Sequence, residues 1–346
     1  MKRSICLLMA LSLMTMCLFG CTSSGSGEAS SVAASSVASV ESHEPVAYDV
    51  NLATLAGPTG MGMAFMLDSE DTINRYHYTV ASAPDQVTAK LINGDYDIAA
   101  LPTNVAATLY NASEGKVKLL GLNTLGVLYV LEKGDTIRSI SDLKGKKVYV
   151  SGQGSTPDFL LKYLLTANGI DPENDLTLDF TYSTHADLVA FAASGQADVV
   201  LLPEPTVTAL LSQNSEMRVA LNLNDVWKDA VAGTDHEDSV VSMGCVAVRT
   251  EFAEKNPEAV ANFLTDYRNS VEKVNSDLDA AAEKIEALGI VAKAAVAKKA
   301  LPRCNIVLIT GQDMADQIQP FYQVLFDANP KSIGGKMPEH DFYYIG

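Results

Sequence analysis

Two short stretches carry the same order of polar and apolar positions 101 residues apart. Residues 94–102 (GDYDIAALP) and 195–203 (GQADVVLLP) share Gly, Asp, Leu and Pro at matching places. In each, the Gly ends a helix-like stretch (Asp85 to Asn93; Ala186 to Ser194) and the Asp opens a tight connection. Four apolar residues then read as a strand buried on both faces, which the Pro ends. Upstream the two units agree in type. The first has a strand at Val50–Leu55, a Gly-rich turn at 57–62, a helix through Leu67 and a strand around Tyr78–Ser82. The second has a strand at Lys147–Val150, a turn at 152–157, a helix over Pro157–Asn168 and a strand at Leu176–Tyr182. An α/β unit used twice predicts two lobes, each a mostly parallel sheet flanked by helices. From Pro257 onward the pattern is helix-rich, and Asn256-Pro257-Glu258 fits an N-cap, a first-turn proline and a first-turn acid.

The expected lobes are 47–128 with 246–346 (lobe I) and 129–245 (lobe II). Two crossing strands, at Asn123–Val130 and Ser242–Val248, form the hinge, each with a Gly among apolar residues. Ligands of open α/β sheets sit beyond the carboxyl ends of the strands, where helix N-termini favour acceptors and anions. The loops there are 57–62, 82–84, 102–104, 152–157, 183–185 and 203–205, rich in Gly, Ser, Thr and Asn. Two lobes facing each other across them make a cleft that hinge motion can close.

The amino terminus reads as an address. Lys2 and Arg3 precede an apolar core from Ile5 to Leu18, shorter than the roughly 20 residues of a membrane-spanning helix. The signal peptide is expected over 1–20. Residues 18–21 (LFGC) resemble a bacterial lipobox, which implies a diacylglycerol thioether on Cys21. The Ser-rich tract that follows lacks large apolar side chains, so 21–46 is expected to be a flexible tether. Of five Cys, Cys245 and Cys304 remain as candidates for a bridge, and two unpaired, buried thiols are the expectation.

With 47% apolar and 19% charged residues the composition is that of a globular protein, and the net charge of −17 argues against nucleic acid as a partner. No Gly-x-Ser-x-Gly elbow or His-Glu-x-x-His helix is present, and the five His are scattered, so an exported hydrolase is the weaker reading. His236, in an acidic loop, reads as solvated rather than metal-bound, and the Met-rich run 61–66 reads as helix core. No cofactor, metal or catalytic residue is expected.

Several runs together resemble a known family: the lipobox and Ser-rich tether, GPTG (57–60), DIAALPTN (97–104), SDLKGKKV (141–148), ADVVLLPEP (197–205) and VRTEFAEKNPEAV (248–260). In order and spacing they are similar to solute-binding lipoproteins of ABC importers, in the branch for sulfonates, taurine, nitrate and thiamine-precursor pyrimidines. The resemblance implies a two-lobe, type II periplasmic-binding fold, a lipid-anchored monomer outside the cytoplasmic membrane, and no enzymatic activity. It also implies a permease and a separate cytoplasmic ATPase as partners, consistent with the lack of a P-loop here. Matching loops carry the ligand contacts over to Thr59, Gly60 and Met61, to Thr103 and Asn104, to Asn123 and Thr124, and to Gln153, Gly154, Ser155 and Thr156. Glu204 could meet a ligand amine, cap a helix or stay solvated, and His185 could meet ligand or cap a helix. These turns hold no arginine, so a strongly anionic ligand would rely on helix N-termini and backbone donors; a small organic solute with an anionic or polar acceptor end, such as a sulfonate, is favoured. A pyrimidine-type thiamine precursor, stacked on Tyr110, Tyr129 or Tyr182, is the alternative. A ligand-sensing lipoprotein serving a signalling receptor would share the fold.

Overall fold

The computed structural model describes residues 46–346, so the expected signal peptide, Cys21 and all but the last residue of the tether lie outside the described residues. The first α/β unit runs β1 (Asp49–Leu55), α1 (Pro58–Met61), β2 (Arg75–Ala81), α2 (Asp85–Asn93), β3 (Ile98–Pro102), α3 (Thr103–Ser113) and β4 (Val117–Leu125). The chain crosses into β5 (Leu128–Lys133) and repeats the unit as β6 (Lys147–Val150), α4 (Thr156–Ala167), β7 (Thr177–Asp179), α5 (His185–Ala193), β8 (Val199–Pro203), α6 (Thr206–Gln213), β9 (Met217–Asn222) and α7 (Leu223–Val231). It returns through β10 (Ser242–Arg249) to α8 (Thr250–Lys255), α9 (Pro257–Ser276), α10 (Leu278–Ala287), α11 (Ala294–Ala300), β11 (Ile306–Thr310) and α12 (Gly311–Ala328).

Among the described residues the strands form two sheets, β11-β4-β10-β3-β1-β2 and β7-β6-β8-β5-β9. The repeat seen in sequence is therefore a repeat of topology. Each unit lays its strands in the order second, first, third, then a strand from elsewhere in the chain, then fourth. That inserted strand, β10 or β5, is antiparallel to both neighbours. Parallel pairing is thus confined to β2-β1-β3 and β7-β6-β8, and both sheets are mixed rather than mostly parallel in their ladders. The sheets also change hands a few residues from the expected lobe limits: Leu128 already pairs with Pro203 in the second, and Gly244 and Cys245 pair in the first.

Within each unit local chemistry agrees with the packing. The apolar residues of β3 and β8 are buried, as central strands covered on both faces require. Gly94 ends α2 at φ 90°, donating its N–H to Leu91 and Lys90 carbonyls, and Gly195 follows α5 at φ 81°. Space around Gly94 is open enough for a methyl group, the nearest atom being Arg249 Cζ at 3.7 Å. Gly94→Ala should therefore cost only the left-handed strain, about 1 kcal/mol in urea unfolding. A loss several times larger would mean that packing, not backbone conformation, selects the glycine.

Two features join the halves. At the outward crossing the Gly126 carbonyl accepts hydrogen bonds from Asn224 Nδ2 (2.8 Å) and Asn305 Nδ2 (2.6 Å), one from each half of the fold. A Cβ at Gly126 would stand 2.2 Å from Asn224 Oδ1, so a side chain there would displace that clamp. Helix α12 packs against α4 and β11 alike. Its Phe321 meets Trp227 edge-on at 6.0 Å, and its Tyr322 hydroxyl donates to the Thr103 carbonyl at 3.1 Å. Cys245 and Cys304 are free and buried, and burial pushes both thiols well above their usual range.

Candidate functional site

A cleft of about 590 Å³ opens where the two halves meet, at the carboxyl ends of the strands. From the first half it is lined by Pro102, Asn104, Met243 and Ser332. From the second come Leu128, Phe159, Pro203, the turn of Gly152 and 154–157, and Ser183, Thr184 and His185. A cavity of about 640 Å³ beside Asp68, Glu70 and Arg75 lies at the opposite, amino end of β2, away from these loops.

Local sequence explains the wall contributed by the second half. Gly152 and Gly154 have φ near 77° and 72°, so the turn leaving β6 needs glycine at both places. The Ser155 hydroxyl closes the turn on the Gly152 carbonyl, and Gly154 N donates to Asp158 Oδ2 at 2.8 Å. Ser155 is consequently occupied and does not cap α4, whose first turn has no side-chain cap. Helix α3 also starts uncapped behind Pro102, whereas α5 is capped by Thr184, whose Oγ1 accepts from Asp187 N at 3.1 Å. Two open helix starts, one from each half, thus border the cleft with unpaired N–H groups and partial positive charge.

His185 is the one titratable side chain lining the cleft; among the described residues no Asp, Glu, Lys or Arg does. Its Nδ1 lies 2.5 Å from the hydroxyl of buried Ser151, and burial holds the imidazole below its ordinary value, favouring the neutral ring.

Of the sequence-derived contacts, the fold brings Asn104, Gly154, Ser155, Thr156 and His185 to the cleft. The others are placed differently. Met61 and Gly60 are buried in the first half, where a Cβ on Gly60 would sit 2.2 Å from the Leu55 carbonyl. Asn123 is buried, donates to the Thr59 carbonyl (3.0 Å) and accepts from Thr124 Oγ1 (3.1 Å), which ties Thr59 and Thr124 into the structure beneath the cleft. Thr103 is buried with its hydroxyl 3.2 Å from Ser242 Oγ. Gln153 is exposed and does not line the cleft. Glu204 is buried and pairs with Arg303 and Thr208, not with cleft space. Tyr129 and Tyr110 are buried with hydroxyls on the Arg303 carbonyl and Asp341, and Tyr182 stacks on Phe191 at 4.4 Å, so none presents a face to a cleft ligand.

Phe159, Met243 and Ser332 also line the cleft, beyond the contacts that the sequence implies. Ser332, which follows α12, is brought there by Asn104 Nδ2 and Thr108 Oγ1, both donating to its carbonyl (3.4 and 3.3 Å). No local signal marks it, since the side chains that hold its carbonyl lie more than 220 residues away.

Residues 75–295 match the family described as the periplasmic substrate-binding protein of phosphonate ABC transporters. The chain belongs to that family. A solved ABC transporter protein from Parabacteroides distasonis is 26% identical, with a TM-score of 0.72 over 85% of this chain and 98% of its own. The periplasmic aliphatic sulphonate binding protein SsuA of Escherichia coli shares the fold at 18% identity, with a TM-score of 0.65 over 86% of this chain and 92% of its own. A 137-residue stretch is 29% identical to the nitrate/nitrite binding protein NrtA of Synechococcus elongatus, covering 38% of this chain and 28% of that protein. The match therefore spans less than a third of the curated relative's length. This substrate-binding family member has the α/β, two-lobe periplasmic-binding fold, and the cleft lies where its two sheets face each other.

Proposed function

We propose that the chain is the extracytoplasmic receptor of an ABC importer, capturing a small organic anion of sulfonate type and delivering it to a permease powered by a separate ATPase. In this reading it does no chemistry, and lipid on Cys21 holds it, as a monomer, to the outer face of the cytoplasmic membrane. Among the described residues no helix is long and apolar enough to cross a membrane. The observation that carries the reading is the lining of the cleft: two uncapped helix starts, the Asn104 amide and the hydroxyls of Thr156 and Ser183, with no charged side chain. Donors that carry only partial charge suit a singly charged, weakly basic oxyanion. A dianion would enter without a full counter-charge. Leu128, Phe159 and Met243 offer apolar surface for an organic tail.

A thermal-shift screen tests this with sulfonates, phosphonates, nitrate, pyrimidines and amino acids against the purified full chain. A ligand at a hundred times its Kd stabilises by about 2.7 kcal/mol, a rise of several degrees. A sulfonate should give that rise, and Asn104→Ala should weaken its binding about tenfold by removing one hydrogen-bonding side chain, with little change in the unliganded Tm. A response to pyrimidines alone would transfer the role to that class, for which Phe159 is the one aromatic lining residue. Equal affinity in Asn104→Ala would remove this cleft as the site.

A further inference from the structure

Resting on the receptor reading above, we infer that His185 makes capture of an anion proton-linked: anchored by Ser151, its ring takes up a proton as the anion enters and becomes the cleft's one cationic partner. Geometry carries the assignment. The ring lines the cleft, its Nδ1 is held 2.5 Å from Ser151 Oγ, and its Nε2 has no protein partner among the described residues. A serine hydroxyl can donate to a bare Nδ1 or accept from a protonated one, so the ring keeps its anchor in either charge state. The added proton comes from solvent. In the resulting imidazolium, Nδ1–H donates to Ser151 and Nε2–H is left for the anion; on release the proton returns to water.

Without ligand the charged ring is disfavoured, because it is largely buried and stands in the first turn of α5. Nor does any neighbouring acid offset this. On α5 itself Asp187 accepts from the Thr184 hydroxyl at 2.7 Å. Helix α6 and strand β8, which pack on α5, carry no charged residue, and Glu204 between them is paired with Arg303. On α4, Asp158 accepts from Gly154 N and pairs with Lys162 (3.3 Å), and on β6 Lys147 pairs with Asp179 (3.0 Å). Across the cleft stand Asn104, Met243 and Ser332, all uncharged. An arriving anion is then the group that raises the ring's proton affinity, and linkage requires the protonated cleft to bind that anion more tightly.

Ethanesulfonate and nitrate suit the test, since both keep a single negative charge between pH 5.5 and 7.5. For the full chain, the affinity for a probe that binds should rise about tenfold as pH falls across that range. Calorimetry in buffers of different ionisation enthalpy should show proton uptake on binding. His185→Gln should still bind with a flat pH profile, its unliganded Tm showing that it folds, and Ser151→Ala should displace the profile along the pH axis. A wild-type affinity that does not change with pH, or His185→Gln as pH-dependent as wild type, overturns the inference while leaving the receptor reading intact. Failure of both probes to bind at any pH overturns the anion reading and the inference together.

Discussion

Arg303→Met should lower the unfolding free energy by about 3 kcal/mol, because it strips a buried carboxylate of its cation. The Glu204 side chain is fully buried, and Arg303 Nε donates to its Oε1 while Arg303 Nη2 donates to Thr208 Oγ1 at 2.7 Å. Thr208 donates to the same carboxylate through its N–H and its hydroxyl, both at 3.1 Å. These bonds satisfy lone pairs but bring no charge, so removing the guanidinium leaves an ion in a poorly solvating site. Glu204 follows β8 of the second sheet and Arg303 precedes β11 of the first, so the pair also fastens one half to the other. Urea unfolding of Arg303→Met and of Glu204→Gln/Arg303→Met separates charge from packing. The double variant, with a neutral amide in place of the carboxylate, should recover most of the loss. An undiminished deficit would assign the effect to the lost Arg303 stem instead.

Trp227→Ala should cost about 3 to 5 kcal/mol. The indole is almost fully buried, packs on Tyr163 of α4 at 5.3 Å and on Phe321 of α12 at 6.0 Å, and donates through Nε1 to the Ser239 carbonyl at 3.1 Å. Truncation would open a cavity bounded by the Tyr163 and Phe321 rings on two helices, neither of which can collapse into it without moving its helix. Trp227→Phe should keep most of the packing and lose about 1 kcal/mol with the indole hydrogen bond. Denaturation followed by circular dichroism checks both, since the substitutions remove the chain's one tryptophan. A loss under 1 kcal/mol for the alanine variant would mean that the helices close over the gap.

Local pattern was informative wherever a segment's structure depends on its own residues. Helix α2 occupies Asp85–Asn93 and strand β6 Lys147–Val150, as the periodicity and the terminating glycine imply. Other segments depend on distant ones. The expected helix through Leu67 stops at Met61, and the strand expected over 176–182 is reduced to Thr177–Asp179. The antiparallel insertion of β10 and β5 could not be read from apolar runs, because a buried strand has the same composition whichever way it points. The candidate site divides along the same line. Position at the carboxyl end of a strand is local and led to Asn104, Thr156 and His185. Whether a side chain faces the cleft or a neighbouring turn is not local: Asn123 turns to Thr59, and Glu204 meets an arginine 99 residues further along.

The placement of β10 has a consequence for how the chain acquires its structure. Strands β3 and β4 do not touch; each pairs with β10, which the chain reaches only after the whole second unit has been made. The first sheet therefore stays split until residue 249 is available, and α12, which packs against α4 of the second half, is later still. Because the closing contacts join distant parts of the sequence, loop-closure entropy is spent before they form, and folding is slow for a chain of this size. A nascent chain of this design can complete its second sheet from residues 128–222 alone, while the first sheet waits in two pieces for β10 and gains its edge strand β11 last.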